Sequence, residues 1–163
     1  LMKKLKKFSF AFVTILLISN CSDPCKDINC LNGGTCQDGF CLCPDFYEGA
    51  DCSIEERSDY FGSYTGTTTY SDSQGNTNSY VDTKTISSSS RGVEYIKFDG
   101  NIYALLSDPG SGAFTIPSQT SSNPQVSDFY FSGSGDCSST YLSYTITAEN
   151  NGETLIMSFT GTK

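Results

Sequence analysis

Cys25-KDIN-Cys30-LNGGT-Cys36-QDGF-Cys41-L-Cys43-PDFYEGAD-Cys52 holds six cysteines, with 4, 5, 4, 1 and 8 residues between them. A segment this short cannot bury enough apolar surface to fold unaided, so it needs cross-links, either disulfides or a metal. Zinc sites pair their ligands as Cys-x2-Cys or recruit His. The chain contains no His at all. In an exported chain, six cysteines read as three disulfides. Counting alone leaves many pairings open, although a bond between Cys41 and Cys43, one residue apart, is disfavoured.

The stretch resembles an EGF-like module. The likeness rests on all six cysteines, on the run from Asn32 to Cys36 (NGGTC), and on the ending formed by Cys41, Cys43, Gly49 and Cys52. It implies the pairs Cys25–Cys36, Cys30–Cys41 and Cys43–Cys52. It also implies a short two-stranded ribbon that turns after Gln37-Asp38-Gly39, where Gly supplies the positive φ of a tight turn. The sequence departs from many such modules at Phe46, which stands before the aromatic Tyr47 where Gly or Pro is common.

Working outward, the chain before the module carries an export pattern. Met2 reads as the initiator, and Lys3, Lys4, Lys6 and Lys7 form a basic start. Phe8 to Ile18 is apolar apart from Ser9 and Thr14. That run is too short to cross a hydrocarbon layer of ~30 Å at ~1.5 Å per residue, so residues 1–20 read as a signal peptide. The ending Leu17-Ile18-Ser19-Asn20-Cys21 resembles a bacterial lipobox, with Asn20 in place of the usual small residue. The resemblance implies lipidation of Cys21 and cleavage just before it. Several acyl chains on one terminus anchor a protein stably, at roughly 0.8 kcal/mol per buried CH2. Residues 21–24 then form a tether, and Ser22-Asp23-Pro24 resembles the surface-export signals of Bacteroidota lipoproteins. The expectation is an outer-membrane lipoprotein facing outward, with the periplasmic face as the alternative.

Beyond Cys52 the composition changes. Residues 53–58 are a charged linker with room for one helical turn. From Asp59 to the end, Ser, Thr, Gly and Tyr dominate, with aromatic and β-branched residues at period two. Eight strands are expected: Tyr60–Tyr70, Tyr80–Ser87, Val93–Phe98, Ile102–Leu106, Ala113–Ile116, Val126–Ser132, Thr140–Ala148 and Thr154–Thr160. Pro117 is expected to stop the fifth strand, Gln119–Pro124 to be a loop, and Gly133-Ser134-Gly135 to be a turn. Asp99-Gly100-Asn101 and Asn150-Asn151-Gly152 read as hairpin turns. The serines at 87–90 read as a flexible loop. Successive hairpins give an antiparallel meander, closed as a barrel or folded as a sandwich. The fold class is therefore mainly β, with a disulfide-stapled EGF-like module followed by this β-domain over 59–163. Phe61-Gly62-Ser63-Tyr64 and the closing Tyr144 and Phe159 segments resemble lipocalin-like domains of Bacteroidota lipoproteins.

The totals narrow the function. The 163 residues carry a net charge of −8. Without the four N-terminal lysines, the ten basic residues fall to six against 18 acidic ones. Such a surface repels phosphate backbones, which argues against nucleic acid. Without His, and without a nucleophile elbow or phosphate loop, no enzyme is expected. The acidic pairs Asp99 and Asp108, Asp128 and Asp136, Glu149 and Glu153 read as solvated turn residues. Calcium needs six to eight oxygens, which Asp23, Asp27 and Asn29 do not supply, so no metal or cofactor is expected. Cys137 is left as an unpaired thiol. Tyr60, Tyr64, Tyr70, Tyr80, Tyr95, Tyr103, Tyr130, Tyr141 and Tyr144 read as half-buried sheet residues that could also line a cavity or stack on sugars. The functional expectation is binding or adhesion to a protein or glycan. The alternatives are a carrier of a small apolar ligand and a structural envelope protein.

Overall fold

The computed structural model describes residues 23–98, 101–120, 129–150 and 152–163. Residues 1–22, with the expected signal peptide and Cys21, the expected turn residues Asp99, Gly100 and Asn151, and the segment 121–128, with the start of the strand expected at Val126–Ser132, lie outside the described residues.

The cysteine-rich stretch forms two small antiparallel ribbons. The first joins β1 (Thr35–Gln37) to β2 (Phe40–Leu42), and the second joins β3 (Tyr47–Glu48) to β4 (Ile54–Glu55). Asp38 and Gly39 turn the first ribbon, both at positive φ (52° and 89°), the backbone a two-residue hairpin loop requires. Three disulfides staple the unit: Cys25–Cys36, Cys30–Cys41 and Cys43–Cys52. Phe46 also adopts positive φ (66°), a strained position for a bulky residue. Its side chain packs against the core of the larger part of the chain, a contact that Gly could not make.

A 3-10 helix, Glu56–Tyr60, follows, so Tyr60 ends a helical turn rather than opening a strand. Then come β5 (Gly62–Asp72), β6 (Thr77–Ser88), β7 (Tyr95–Phe98), β8 (Ile102–Leu106), β9 (Ala113–Thr120), β10 (Tyr130–Cys137), β11 (Tyr141–Asn150) and β12 (Glu153–Thr162). Each strand pairs antiparallel with the next, and β12 returns to β5, which closes the sheet. Of the two architectures the sequence allows, the chain adopts the barrel.

Three sequence expectations are corrected by this geometry. Gly133-Ser134-Gly135 is not a turn but the middle of β10. A Cβ on Gly133 would strike the Thr145 carbonyl, and one on Gly135 would press on Tyr144 and the Phe114 ring. The glycines let a curved strand approach its neighbours closely. Pro117 does not stop β9, which runs on through Gln119 to Thr120. Ile116 pairs with Gly133 and Gln119 with Phe131, so Pro117 and Ser118 together oppose Ser132. Pro is tolerated in such a bulge because no ladder N–H is missed. The serine run is not a loose loop, since Ser87 and Ser88 finish β6 and Ser89 is buried.

The interior is filled at one end only. Tyr64, Ile86, Ile96, Phe98, Ala104, Leu106, Phe114, Leu142, Tyr144 and Phe159 are buried there. The 3-10 helix plugs that end. Arg57 is 5% exposed and donates through Nη1 to the carbonyls of Ser89, Gly92 and Tyr95 at 3.0, 2.6 and 2.6 Å. The Tyr64 hydroxyl lies 2.7 Å from the carbonyls of both Tyr60 and Ser138.

Candidate functional site

The site follows from the register of the barrel rungs. Gly135, Tyr144, Phe159 and Thr68 share one rung, reading from β10 through β11 and β12 to β5. Its rings form a floor. Tyr144 lies 5.6 Å from Phe159 and 5.3 Å from Phe98, which lies 5.5 Å from Phe114, all between ring centroids. One rung above, Gly133, Ile146, Met157 and Tyr70 are level. Phe131, Ala148 and Leu155 follow one step higher. Above the Tyr144 and Phe159 rings, Gly133 and Ala148 leave space, so the barrel fills to the aromatic floor and is hollow above it.

The hollow is a cup of about 350 Å³, lined by Tyr70, Ile102, Phe129, Phe131, Ile146, Ala148, Leu155 and Met157. Eight-stranded barrels are just wide enough either to be filled by side chains or to hold one small ligand. This chain does the first at its plugged end and leaves a hollow at its open end.

Beyond Tyr70, the inner face of the β5–β6 hairpin turns polar. β5 and β6 form a hairpin longer than the β7–β8 hairpin beside it. Tyr70 and Tyr80 stack on it at 5.8 Å, and the Tyr80 hydroxyl donates to that of Tyr70 at 3.1 Å. Burial, with that hydrogen bond, pushes the Tyr70 phenol up to about 12. Asp82 and Lys84 pair with Gly66 and Tyr64, so they share the inner face. Their ion pair is 2.6 Å long. The Lys84 ammonium, more than any other group, holds the Asp82 carboxyl below its usual range.

The residues singled out in the sequence scatter over this frame. The nine tyrosines divide: Tyr60 and Tyr64 belong to the plug, Tyr144 to the floor, Tyr70 and Tyr80 to the β5–β6 hairpin, and Tyr95 opens β7. Tyr103 lies under the Arg91 guanidinium at 4.1 Å, and Tyr130 and Tyr141 are exposed. Cys137 ends β10 as a buried thiol, and burial pushes it up to about 12, aided by the charge of Asp136. Asp108, Asp136, Glu149 and Glu153 are all exposed. Among the described residues, no three His, Cys, Asp or Glu side chains converge as metal ligands do. Sequence reading missed Ile102, Phe131, Ala148, Met157 and the Asp82–Lys84 pair. A signal existed, since Asp82 and Lys84 alternate with Val81 and Thr83, but which face turned inward was not legible without the register.

Compared with protein-family models, with curated proteins and with solved structures, the chain matches none.

Proposed function

We propose that this chain is a non-catalytic, lipid-anchored cell-envelope protein whose barrel binds a small apolar molecule in the cup. The single observation that carries the binding claim is the half-filled barrel, an aromatic floor with an apolar hollow of about 350 Å³ above it. Pockets for small molecules run from roughly 300 Å³ upward and are mostly apolar with few polar groups. The cup fits that description, and the up-and-down meander resembles that of lipocalin-like carriers. The anchor is Cys21, whose setting after the apolar run supports lipidation. The cysteine-rich stretch serves as an EGF-like spacer between anchor and barrel, and it meets the barrel at the plugged end, through Phe46, rather than at the cup. Display on the outer membrane, facing outward, follows from the residues after Cys21.

The test is a fluorescence titration of the full chain with phenylnaphthylamine, a neutral apolar probe. Ala148→Trp fills the cup and should weaken binding by at least about ten-fold, which corresponds to about 1.4 kcal/mol. Equal binding by both proteins would place the probe elsewhere and end the cup reading.

A second reading, adhesion to a glycan, draws on a different place. A groove of about 500 Å³ on the outer wall is lined by Arg91, Asn101, Tyr103, Gln119 and Tyr130 among others. Planar amides and exposed aromatic faces are what sugar rings stack on and bond to. Retention of the chain on immobilised glycans, lost in Tyr130→Ala, would favour this reading.

A further inference from the structure

The cysteine-rich unit leaves two large apolar side chains in water. Phe40 is 75% exposed and Leu42 is 53% exposed. They flank Cys41 on β2, so both project from one face of the β1–β2 ribbon. Gln37 and Thr35, their partners across the ribbon, complete that face. Cys36 and Cys41 turn to the other face, where they bond to Cys25 and Cys30. The cross-links of the ribbon thus lie behind the exposed pair, and its folding does not call for a ring in front. Single apolar residues on a surface are ordinary. What sets this pair apart is its place.

The tether arrives at the same tip. Pro24 lies beside Gly39, the turn residue that precedes Phe40. A Cβ on Gly39 would meet the Pro24 carbonyl oxygen at 3.7 Å and the Pro24 Cβ at 3.8 Å. The next residue, Cys25, is bonded to Cys36 of the ribbon. Asp23 is held as well, its carboxylate accepting from the Cys25 N–H at 2.9 Å and its carbonyl from the Lys26 N–H at 3.2 Å. Only Ser22 separates Asp23 from Cys21. Two steps of ~3.8 Å give that link a reach of at most ~8 Å. A lipid on Cys21 therefore brings a bilayer surface to the ribbon tip and to Phe40. Charge does not hold it there. Between Cys25 and Cys52 the one basic residue is Lys26, against Asp27, Asp38, Asp45, Glu48 and Asp51. A polybasic contact with anionic headgroups is not available, so the contact is apolar and suits a zwitterionic surface.

Resting on the reading of Cys21 as lipidated, we propose that Phe40 and Leu42 dip into the zwitterionic bilayer surface that holds the lipid. They form a second attachment point beside the acyl chains. Two attachments on one disulfide-bonded unit fix how that unit stands on the membrane, where a lipid alone leaves it free to swing.

The test places the lipidated full chain in phosphatidylcholine nanodiscs that carry a doxyl-labelled lipid, which broadens methyl signals at the bilayer. Intact mass first reports the acyl chains. The Leu42 methyls should broaden, and those of Val81, 77% exposed on β6 of the barrel, should not. Phe40→Ser should shift the inserted fraction at least about ten-fold toward water, and most of the Leu42 broadening should go with it, while the acyl mass stays unchanged. Phe40→Trp keeps an apolar ring suited to an interface and should retain the broadening. Raising the salt from about 0.1 M to about 0.5 M should leave it as it was, since no charge pair is being screened. Leu42 broadening that survives Phe40→Ser would mean that the tether alone brings the unit near the bilayer. Absence of Leu42 broadening in the wild type, or equal broadening of Val81, would leave the pair off the membrane and open to a protein partner. Each of these overturns the proposal and leaves the anchor standing. An intact mass without acyl chains would instead remove the reading of Cys21, and this proposal with it.

Discussion

Arg57 Nη1 donates to the carbonyl oxygen of Tyr95 at 2.6 Å, which ties the 3-10 helix ahead of the barrel to the first residue of β7. The same nitrogen serves Ser89 and Gly92, and Nε holds Glu55 at 2.8 Å. Replacing Arg57 with Ala strands three carbonyls at a buried site. Hydrogen bonds to a charged donor contribute about 1.5–3 kcal/mol, so a loss of about 3 kcal/mol is expected in urea unfolding. Lys in its place should recover only part, because it lacks the planar fork. A loss below about 0.5 kcal/mol, typical of a surface change, would deny Arg57 its role as the latch of the plug.

The glycines of β10 are expected to be intolerant. Gly135→Ala pushes a methyl onto Tyr144 and Phe114, two rings of the floor. Overpacking of this kind costs about 1–3 kcal/mol and should also disturb probe binding in the cup. Gly75→Ala, in an open turn at φ +86°, should cost backbone strain alone and leave binding intact.

High pH should open the plugged end. Burial pushes Tyr60 and Tyr64 up to about 12 from an ordinary 10.0. A raised value in the folded state means that the neutral phenols stabilise the fold fully below pH 10. That contribution is lost as pH rises from about 10 toward 12. Thermal midpoints should therefore fall over this window, and fall less in Tyr64→Phe, which has no phenol to ionise at that position. A midpoint flat between pH 10 and 12 in the wild type would contradict the burial of these hydroxyls.

Cys137 should be inert while the protein is folded. Its Sγ lies 3.4 Å from the Gly112 carbonyl, and burial holds it protonated. Since thiolate is the reactive form, alkylation at pH 8 should be negligible in the native protein and rapid in urea. Prompt native labelling would show that the plugged end opens readily.

How much of this was legible beforehand differs between the two parts. The β-domain announced itself through period-two alternation and turn dipeptides, so Ile102–Leu106 matches the observed strand. Strand existence survived where boundaries did not. Gly133-Ser134-Gly135 and Pro117 look like punctuation locally, yet the closed barrel uses them inside strands, one for close approach and the other in a bulge. Closure was legible only as one of two alternatives, barrel or sandwich, because the β12–β5 pairing that decides it joins the two ends of the domain. The cup was hidden. It arises because Gly133 and Ala148 fall above a rung of large rings, and that juxtaposition exists only once the register is fixed.

The most direct test of the central claim is a methyl-resolved NMR titration of the full chain with phenylnaphthylamine. Binding in the cup predicts saturable shifts at Ile102, Ile146, Ala148, Leu155 and Met157, which line it. The exposed Ile28, Leu31 and Leu42 of the cysteine-rich unit should not move. Shifts confined to those exposed methyls, or none at all at saturating probe, would contradict a ligand-binding barrel.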